Sequence, residues 1–201
     1  MKIDPMKRFM LLGLLLTWAG GATAMDATTI TTGRAIFAGG CFWCMQAEFE
    51  GTEGVASVTS GYTGGHVANP SYEQVSSGTT GHAEAIEVVY DPSKVTYEKL
   101  LEIYWGNVDP TDQGGQFADR GSQYRTGIFY LDEEQHQLAE VSKQKIEAKL
   151  KQRLYTEITA ASTFYPAETY HQDYYKKHPI HYNAYKYGSG RVSRLKELWD
   201  K

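Results

Sequence analysis

The chain has 201 residues, a formal charge of −4, 41% hydrophobic and 13% aromatic residues, and two cysteines. This length suits one domain with a sizeable core. The acidic balance excludes the basic footprint of a nucleic-acid binder, and two cysteines alone do not make a structural zinc site of four Cys/His ligands.

Lys2, Lys7 and Arg8 precede the apolar run Phe9 to Ala19, and Ala22-Thr23-Ala24 forms an A-x-A cleavage site. This pattern predicts an export signal over residues 1–24, a mature start at Met25 and a Thr-rich flexible lead-in over 25–33. A membrane-spanning helix needs about 20 apolar residues, so no stable membrane insertion is expected after cleavage; a retained anchor is the alternative. The expected location is the periplasm.

Arg34 to Ala38 reads as a strand. It passes through Gly39-Gly40 into Cys41-Phe42-Trp43-Cys44, and Met45 to Glu50 is rich in helix formers. Both cysteines are thus predicted at the first turn of a helix. Free N–H groups and the positive dipole end there favour a thiolate, the nucleophilic form. Phe42 and Trp43 put an apolar wall beside Cys41. A disulfide between residues three apart closes too small a loop to stabilise much, so a redox pair with an outside electron supply is the better reading.

Gly54 to Tyr62 reads as a second strand. Thr63 to His82 is a long loop of Gly, Ser, Thr, Asn and Pro, a length that points to function. Ala85 to Tyr90 alternates as a half-buried strand. Thr96 caps a helix with Tyr97, Leu100, Leu101, Tyr104 and Trp105 on one face. A second long loop covers Asp109 to Gln123. Arg125 to Leu131 is a strand, Asp132-Glu133-Glu134-Gln135 resembles a capping box opening a helix to about Leu154, and Glu157 to Ala161 is a last strand. Eight of the 15 tyrosines follow from Tyr155 onward, with one short helix near Ala167 to Lys177. Residues 188–201 read as a solvated tail. The order predicts an α+β fold: a two-layer sandwich with a ferredoxin-like βαββαβ core and a long irregular aromatic-rich C-terminal segment.

Cysteine chemistry also needs a proton donor near the substrate. Glu84, in Gly81-His82-Ala83-Glu84, ends the first loop; a carboxyl among aromatic side chains has a raised pKa and serves as a general acid. On spacing alone it reads as a solvated strand-end acid. Tyr72 and Tyr124 offer hydroxyls that polarise a substrate oxygen, and Asp119 lies beside Tyr124 in the second loop. Taken singly, these are packed aromatics and a loop aspartate. His82 reads as loop scaffold. His171, His178 and His181 match no metal-ligand spacing.

Taken in order, Gly-Cys-Phe-Trp-Cys, Gly-Tyr-Thr-Gly-Gly at 61–65, Tyr72, Gly-His-Ala-Glu at 81–84 and Asp-x-Gly-x-Gln-Tyr-Arg at 119–125 resemble the methionine sulfoxide reductase A family. Phe164 to Glu168 and Tyr170 to Tyr174 resemble it too, and the similarity runs from about Arg34 to Asn183 within a catalytic domain placed at 34–187. The resemblance implies that Cys41 attacks the sulfoxide sulfur and that Phe42 and Trp43 hold the S-methyl group. It implies that Glu84 protonates the leaving oxygen, that Tyr72 and Tyr124 hydrogen-bond it and that Asp119 orients the site. It implies S-epimer preference, free or protein-bound methionine sulfoxide as substrate, and no metal or cofactor.

Many relatives resolve the sulfenic acid with a thiol in a Gly-rich C-terminal tail. This tail keeps Gly188 and Gly190 without a cysteine. Cys44, one helical turn from Cys41, lies within disulfide range and is the expected resolving cysteine; direct resolution by an external thiol is the alternative. The implied reductant is thioredoxin or a periplasmic thioredoxin-like protein. Two rivals are a thioredoxin-like thiol–disulfide oxidoreductase, which Phe42-Trp43 between the cysteines disfavours, and a non-catalytic domain with a buried disulfide.

Overall fold

The computed structural model describes residues 32–199. The predicted signal, and the lead-in up to residue 31, lie outside them. In chain order the elements are β1 (Gly33–Gly39), α1 (Phe42–Glu50), β2 (Val55–Thr63), α2 (Tyr72–Ser76), β3 (Ala83–Tyr90), α3 (Tyr97–Trp105), β4 (Gly115–Gln116) and β5 (Asp119–Arg120). A 3-10 turn (Ser122–Tyr124), β6 (Thr126–Tyr130), α4 (Glu133–Leu150), β7 (Glu157–Ala160), β8 (Tyr165–Pro166), α5 (Tyr174–Lys177), α6 (Pro179–Gly188) and α7 (Arg191–Trp199) follow.

The main sheet runs β7-β6-β1-β3-β2-β8. Its inner four strands, β6-β1-β3-β2, pair antiparallel throughout, which is the split βαβ arrangement that the element order predicts. β7 joins β6 in parallel, and β8 adds a short edge to β2. The fold class is α+β.

Strand alternation divides the core. Ala35 and Phe37 face the helices, where Phe37 stacks on Phe49 and Tyr104 at ring distances of 5.3 and 5.2 Å. Ile36 and Ala38 share the other face with Ala83, Ala85 and Phe129. The apolar face of α3 is buried as its periodicity predicts, and Thr96 accepts a hydrogen bond from the Lys99 N–H. The Tyr104 hydroxyl donates to the Ala38 carbonyl at 3.0 Å, tying α3 to the strand that carries the cysteines.

Four readings need correction. The first long loop contains α2, opened by a full capping box between Ser71 and Gln74. The second contains the β4–β5 ribbon. α4 stops at Leu150, where Lys151 takes a left-handed φ of 53°. The C-terminal segment carries α5 and α6 beyond its irregular stretch, and Arg191–Trp199 of the residues read as a solvated tail form α7. Leu195 is buried, the Trp199 indole donates to the Val108 carbonyl at 3.2 Å, and Arg191 is only 2% exposed. Arg191, Leu195 and Trp199 form one inward stripe four residues apart. The charges around them masked it, because the leading member is itself an arginine.

Gly40 links β1 to α1 at φ +77°, and a Cβ there would meet the Gln116 Cβ at 2.6 Å. Gly40→Ala is expected to cost about 1–3 kcal/mol of stability, measured by urea denaturation. No helix among the described residues is long and apolar enough to cross a membrane.

Candidate active site

Because β1 stops at Gly39 and Gly40 turns the chain, Cys41 becomes the N-cap of α1. Its carbonyl accepts from the Cys44 and Met45 N–H groups at 3.1 and 3.3 Å. Cys41 is 6% exposed, Cys44 is fully buried, and both are free thiols.

A cavity of about 80 Å³ opens at Cys41, lined by Cys41, Phe42, Trp43, Tyr72, Glu84, Asp119, Tyr124 and Tyr185. Every candidate except Cys44 lines it. Cys44 sits behind Cys41. Tyr185 was missed by sequence reasoning.

Glu84 lies in β3 opposite Tyr62 of β2 and is 3% exposed, so the solvated-acid reading fails. Its Oε2 accepts from the Phe42 N–H at 3.0 Å. The first free donor of α1 is thus taken by the carboxyl and not by a thiolate. Burial outweighs that bond and raises Glu84 to about 8, with Asp119 and Cys44 adding to it. At neutral pH the buried carboxyl holds its proton.

The two thiols behave as a pair. Burial first, then the hydrogen bond with Cys44, pushes the Cys41 thiol well up, and the negative charges of Cys44, Glu84 and Asp119 add to the rise. Cys44 is pulled down to about 7, first by the Cys41 thiol that donates to it, against burial, and then by Arg191 and Lys186. Burial and the neighbouring acids thus work against the thiolate expected at Cys41. Local dipole reasoning favours a thiolate at the outer sulfur; burial and the surrounding acids oppose it there, and the C-terminal cations favour one at the inner sulfur.

The apolar wall is held from behind. Phe42 is 1% exposed, with its ring 5.9 Å from Tyr62 and 5.0 Å from His171. Trp43 lies flat on Tyr174 at 3.8 Å and 6°, and its indole N–H donates to His171 Nδ1 at 3.1 Å. To accept there, His171 is neutral, and burial lowers its pKa accordingly. His178 packs on the Tyr174 ring at 4.6 Å, and His181 lies within 3.2 Å of its hydroxyl. The three histidines thus surround Trp43 and Tyr174. No group of three or more His, Cys, Asp or Glu side chains among the described residues is placed to hold a metal ion.

Tyr72 opens α2. Its N–H donates to Glu168 Oε1 at 2.8 Å, and Glu168 Oε2 accepts from the Tyr62 hydroxyl at 2.8 Å. One carboxylate therefore locks α2 to β2. Burial first, then Glu84, raises Tyr72 to about 12, so its hydroxyl stays a donor; burial and Glu84 also raise Tyr124. Asp119 Oδ2 accepts from the Tyr185 hydroxyl. Burial raises the Asp119 pKa, while Tyr185 and Arg191 oppose it. Glu168 and His171 lie in stretches that carry the family resemblance. Tyr185 has no such signal and was one tyrosine among many.

A pocket with one thiol in its wall and a second behind it, two carboxyl groups, three tyrosine hydroxyls and an aromatic wall suits reduction of a small polar S–O or S–S group beside an apolar substituent. A family model described as peptide methionine sulfoxide reductase matches residues 33–201. A Bacillus licheniformis protein named peptide methionine sulfoxide reductase MsrA is 54% identical over 169 residues, 83% of this chain and 93% of its own length. The Bacillus pumilus protein of that name is 55% identical over 167 residues, covering 82% and 94%. Methionine sulfoxide reductase A of Corynebacterium diphtheriae has a solved structure with TM-score 0.68 and 34% identity, covering 74% of this chain and 76% of that one. Reduced Mxr1 from Saccharomyces cerevisiae gives TM-score 0.71 at 29% identity, covering 74% and 87%.

Proposed function

Since this chain belongs to the peptide methionine sulfoxide reductase family, and so is an oxidoreductase that reduces methionine sulfoxide, we propose that Cys41 is its nucleophile and Glu84 its general acid. The observation that carries this reading is a proton-bearing carboxyl, raised to about 8, in the same cavity as Cys41. A sulfoxide is an S–O dipole beside a methyl group. Tyr72, Tyr124 and the Glu84 proton meet the oxygen, while Phe42 and Trp43 meet the methyl. Asp119, held by Tyr185, keeps the Tyr124 side of the pocket in place.

Cys41 attacks the sulfoxide sulfur as its thiolate, and Glu84 gives its proton to the oxygen. The oxygen passes to Cys41. Cys41 becomes a sulfenic acid, oxidised by two electrons, and the substrate sulfur becomes a thioether, reduced by two. Cys44 then displaces the hydroxyl, forming the Cys41–Cys44 disulfide and water. A thioredoxin-like protein reduces that disulfide; yeast Mxr1 has been solved in complex with Trx2. The S epimer is the substrate, free or in oxidised proteins, and the enzyme repairs such proteins. With the export signal over 1–24 cleaved after Ala24, the place of action is the periplasm.

The test is turnover of separated S and R epimers by the purified protein with dithiothreitol. Turnover of S alone supports this reading. No turnover of either epimer by folded, reduced protein overturns it in favour of a thiol–disulfide oxidoreductase, which insulin reduction would then reveal.

Two further outcomes are expected. Cys44→Ser yields one equivalent of methionine per enzyme and then stalls with thioredoxin, in a quench experiment; normal recycling would remove Cys44 as the resolving thiol. Trp43→Ala loses the methyl wall and raises KM by about tenfold or more, with a smaller change in kcat.

A further inference from the structure

Arg191, at the start of α7, is an unusual buried cation. Its two side-chain hydrogen bonds both go to main-chain carbonyls, Gly39 at 2.9 Å and Asn107 at 2.7 Å. The Phe117 ring covers the guanidinium at 4.5 Å. Asp119 feels this charge but takes its hydrogen bond from Tyr185. A permanent positive charge is thus withdrawn from water with no carboxylate bonded to it among the described residues.

The second observation is Tyr182 on α6. It is 6% exposed, and its buried hydroxyl has no nitrogen or oxygen partner among the described residues; the Cys44 sulfur is set against it. The strongest charge acting on that hydroxyl is the Cys44 sulfur. Cys44 is fully buried behind the nucleophile. The groups that face it are the Cys41 thiol on its own helix, Tyr182, Tyr185 and Lys186 from α6, Arg191 from α7, Asp119 from β5 and Glu84 from β3. Lys186 is shared with Glu48, its ion-pair partner at 2.6 Å. The two cations favour a thiolate and the two acids oppose it. An unpartnered hydroxyl and an uncompensated guanidinium are what a buried anion needs.

We propose that α6 and α7 build a thiolate site around Cys44, so that Cys44 begins the cycle as the base that takes the proton of Cys41. The inference rests on Cys41 being the attacking sulfur. It gives the C-terminal helices a role in a chain without a tail cysteine. The Cys41 S–H bond breaks and its proton moves to Cys44. The Cys41 thiolate then takes the substrate oxygen together with the Glu84 proton, leaving sulfenic acid, thioether and Glu84 carboxylate. Finally the Cys44 sulfur bonds to Cys41, the S–O bond breaks, and the Cys44 proton leaves with the hydroxyl as water. The negative charge passes from Cys44 to Glu84, so no step adds a further anion to the pocket.

The experiment follows the ultraviolet thiolate absorbance and the single-turnover rate of methionine formation against pH, in the reduced full chain. Arg191→Met should raise the midpoint of both by about one pH unit and slow the first turnover at pH 7 about fivefold. Arg191→Lys, which keeps the charge, should restore the wild-type midpoint. Tyr182→Phe should move it the same way by less. In Cys44→Ser the lower titration should vanish, and the first turnover should be slow at neutral pH and climb with pH, its amplitude still one equivalent. A purely packing role for Arg191 would lower stability and leave both midpoints in place. Unchanged midpoints in Arg191→Met and Tyr182→Phe overturn the proposal. If Arg191→Met does not fold, Tyr182→Phe and Cys44→Ser decide alone. Turnover surviving in Cys41→Ser would overturn the nucleophile assignment instead.

Discussion

Cys41→Ser is expected to abolish sulfoxide reduction, with kcat/KM falling by at least about four orders of magnitude. A serine oxygen does not become a sulfenic acid, so the two electrons have no source in the pocket. The residue is almost fully buried and only one atom changes, so stability should move by about 1 kcal/mol or less. Methionine release by chromatography measures the first effect and urea denaturation the second. The variant also removes the group that lowers Cys44 most. The Cys44 titration should therefore rise above its value of about 7, read by alkylation rate against pH. Measurable turnover in this variant, with a native urea midpoint, would place the nucleophile elsewhere.

Glu84→Gln should slow sulfoxide cleavage by about 10²–10⁴-fold, the usual worth of a positioned acid. Glutamine keeps the acceptor for the Phe42 N–H but has no proton to give. Its effect on stability has a definite sign. The folded state holds the Glu84 proton up to about pH 8, while the unfolded chain loses it near 4.5. Between these values the folded state binds more protons, so stability falls as pH rises, on the order of 3 kcal/mol from this group by pH 7. That loss is absent below 4.5 and complete above 8. The Gln variant lacks this slope. Its urea midpoint should exceed that of the wild type at pH 8 by more than at pH 5. In rate profiles, the wild-type decline above about pH 8 should vanish with Gln. A wild-type rate with a lowered urea midpoint would leave Glu84 as a structural residue only.

Much of the fold was legible because it rests on local patterns. The alternation in β3, the apolar face of α3 and the strand–glycine–cysteine junction all come from short-range periodicity. The convergence of Cys41, Tyr72, Glu84, Asp119 and Tyr124 followed from the order of motifs. The misread parts depend on distant partners. Nothing near Arg191 shows that its guanidinium ends up under Gly39, and Tyr185 becomes notable only once it bonds Asp119. The groups that act on the thiol pair were hidden for the same reason. A dipole argument uses only α1, whereas Glu84 arrives from 42 residues away and takes the helix's first donor.

The hydrogen bond from Arg191 to Gly39 spans 152 residues. During synthesis both cysteines leave the ribosome early, long before the helix that carries Arg191 exists. Contacts of such sequence separation form late, because loop closure must precede them. The tie between the end of β1 and the C-terminal helix is therefore made by one of the last pieces of chain to be synthesised. Reactivity is timed by the length of the chain. The charge of Arg191, one of the two cations that favour a Cys44 thiolate, joins the redox centre only when α7 docks.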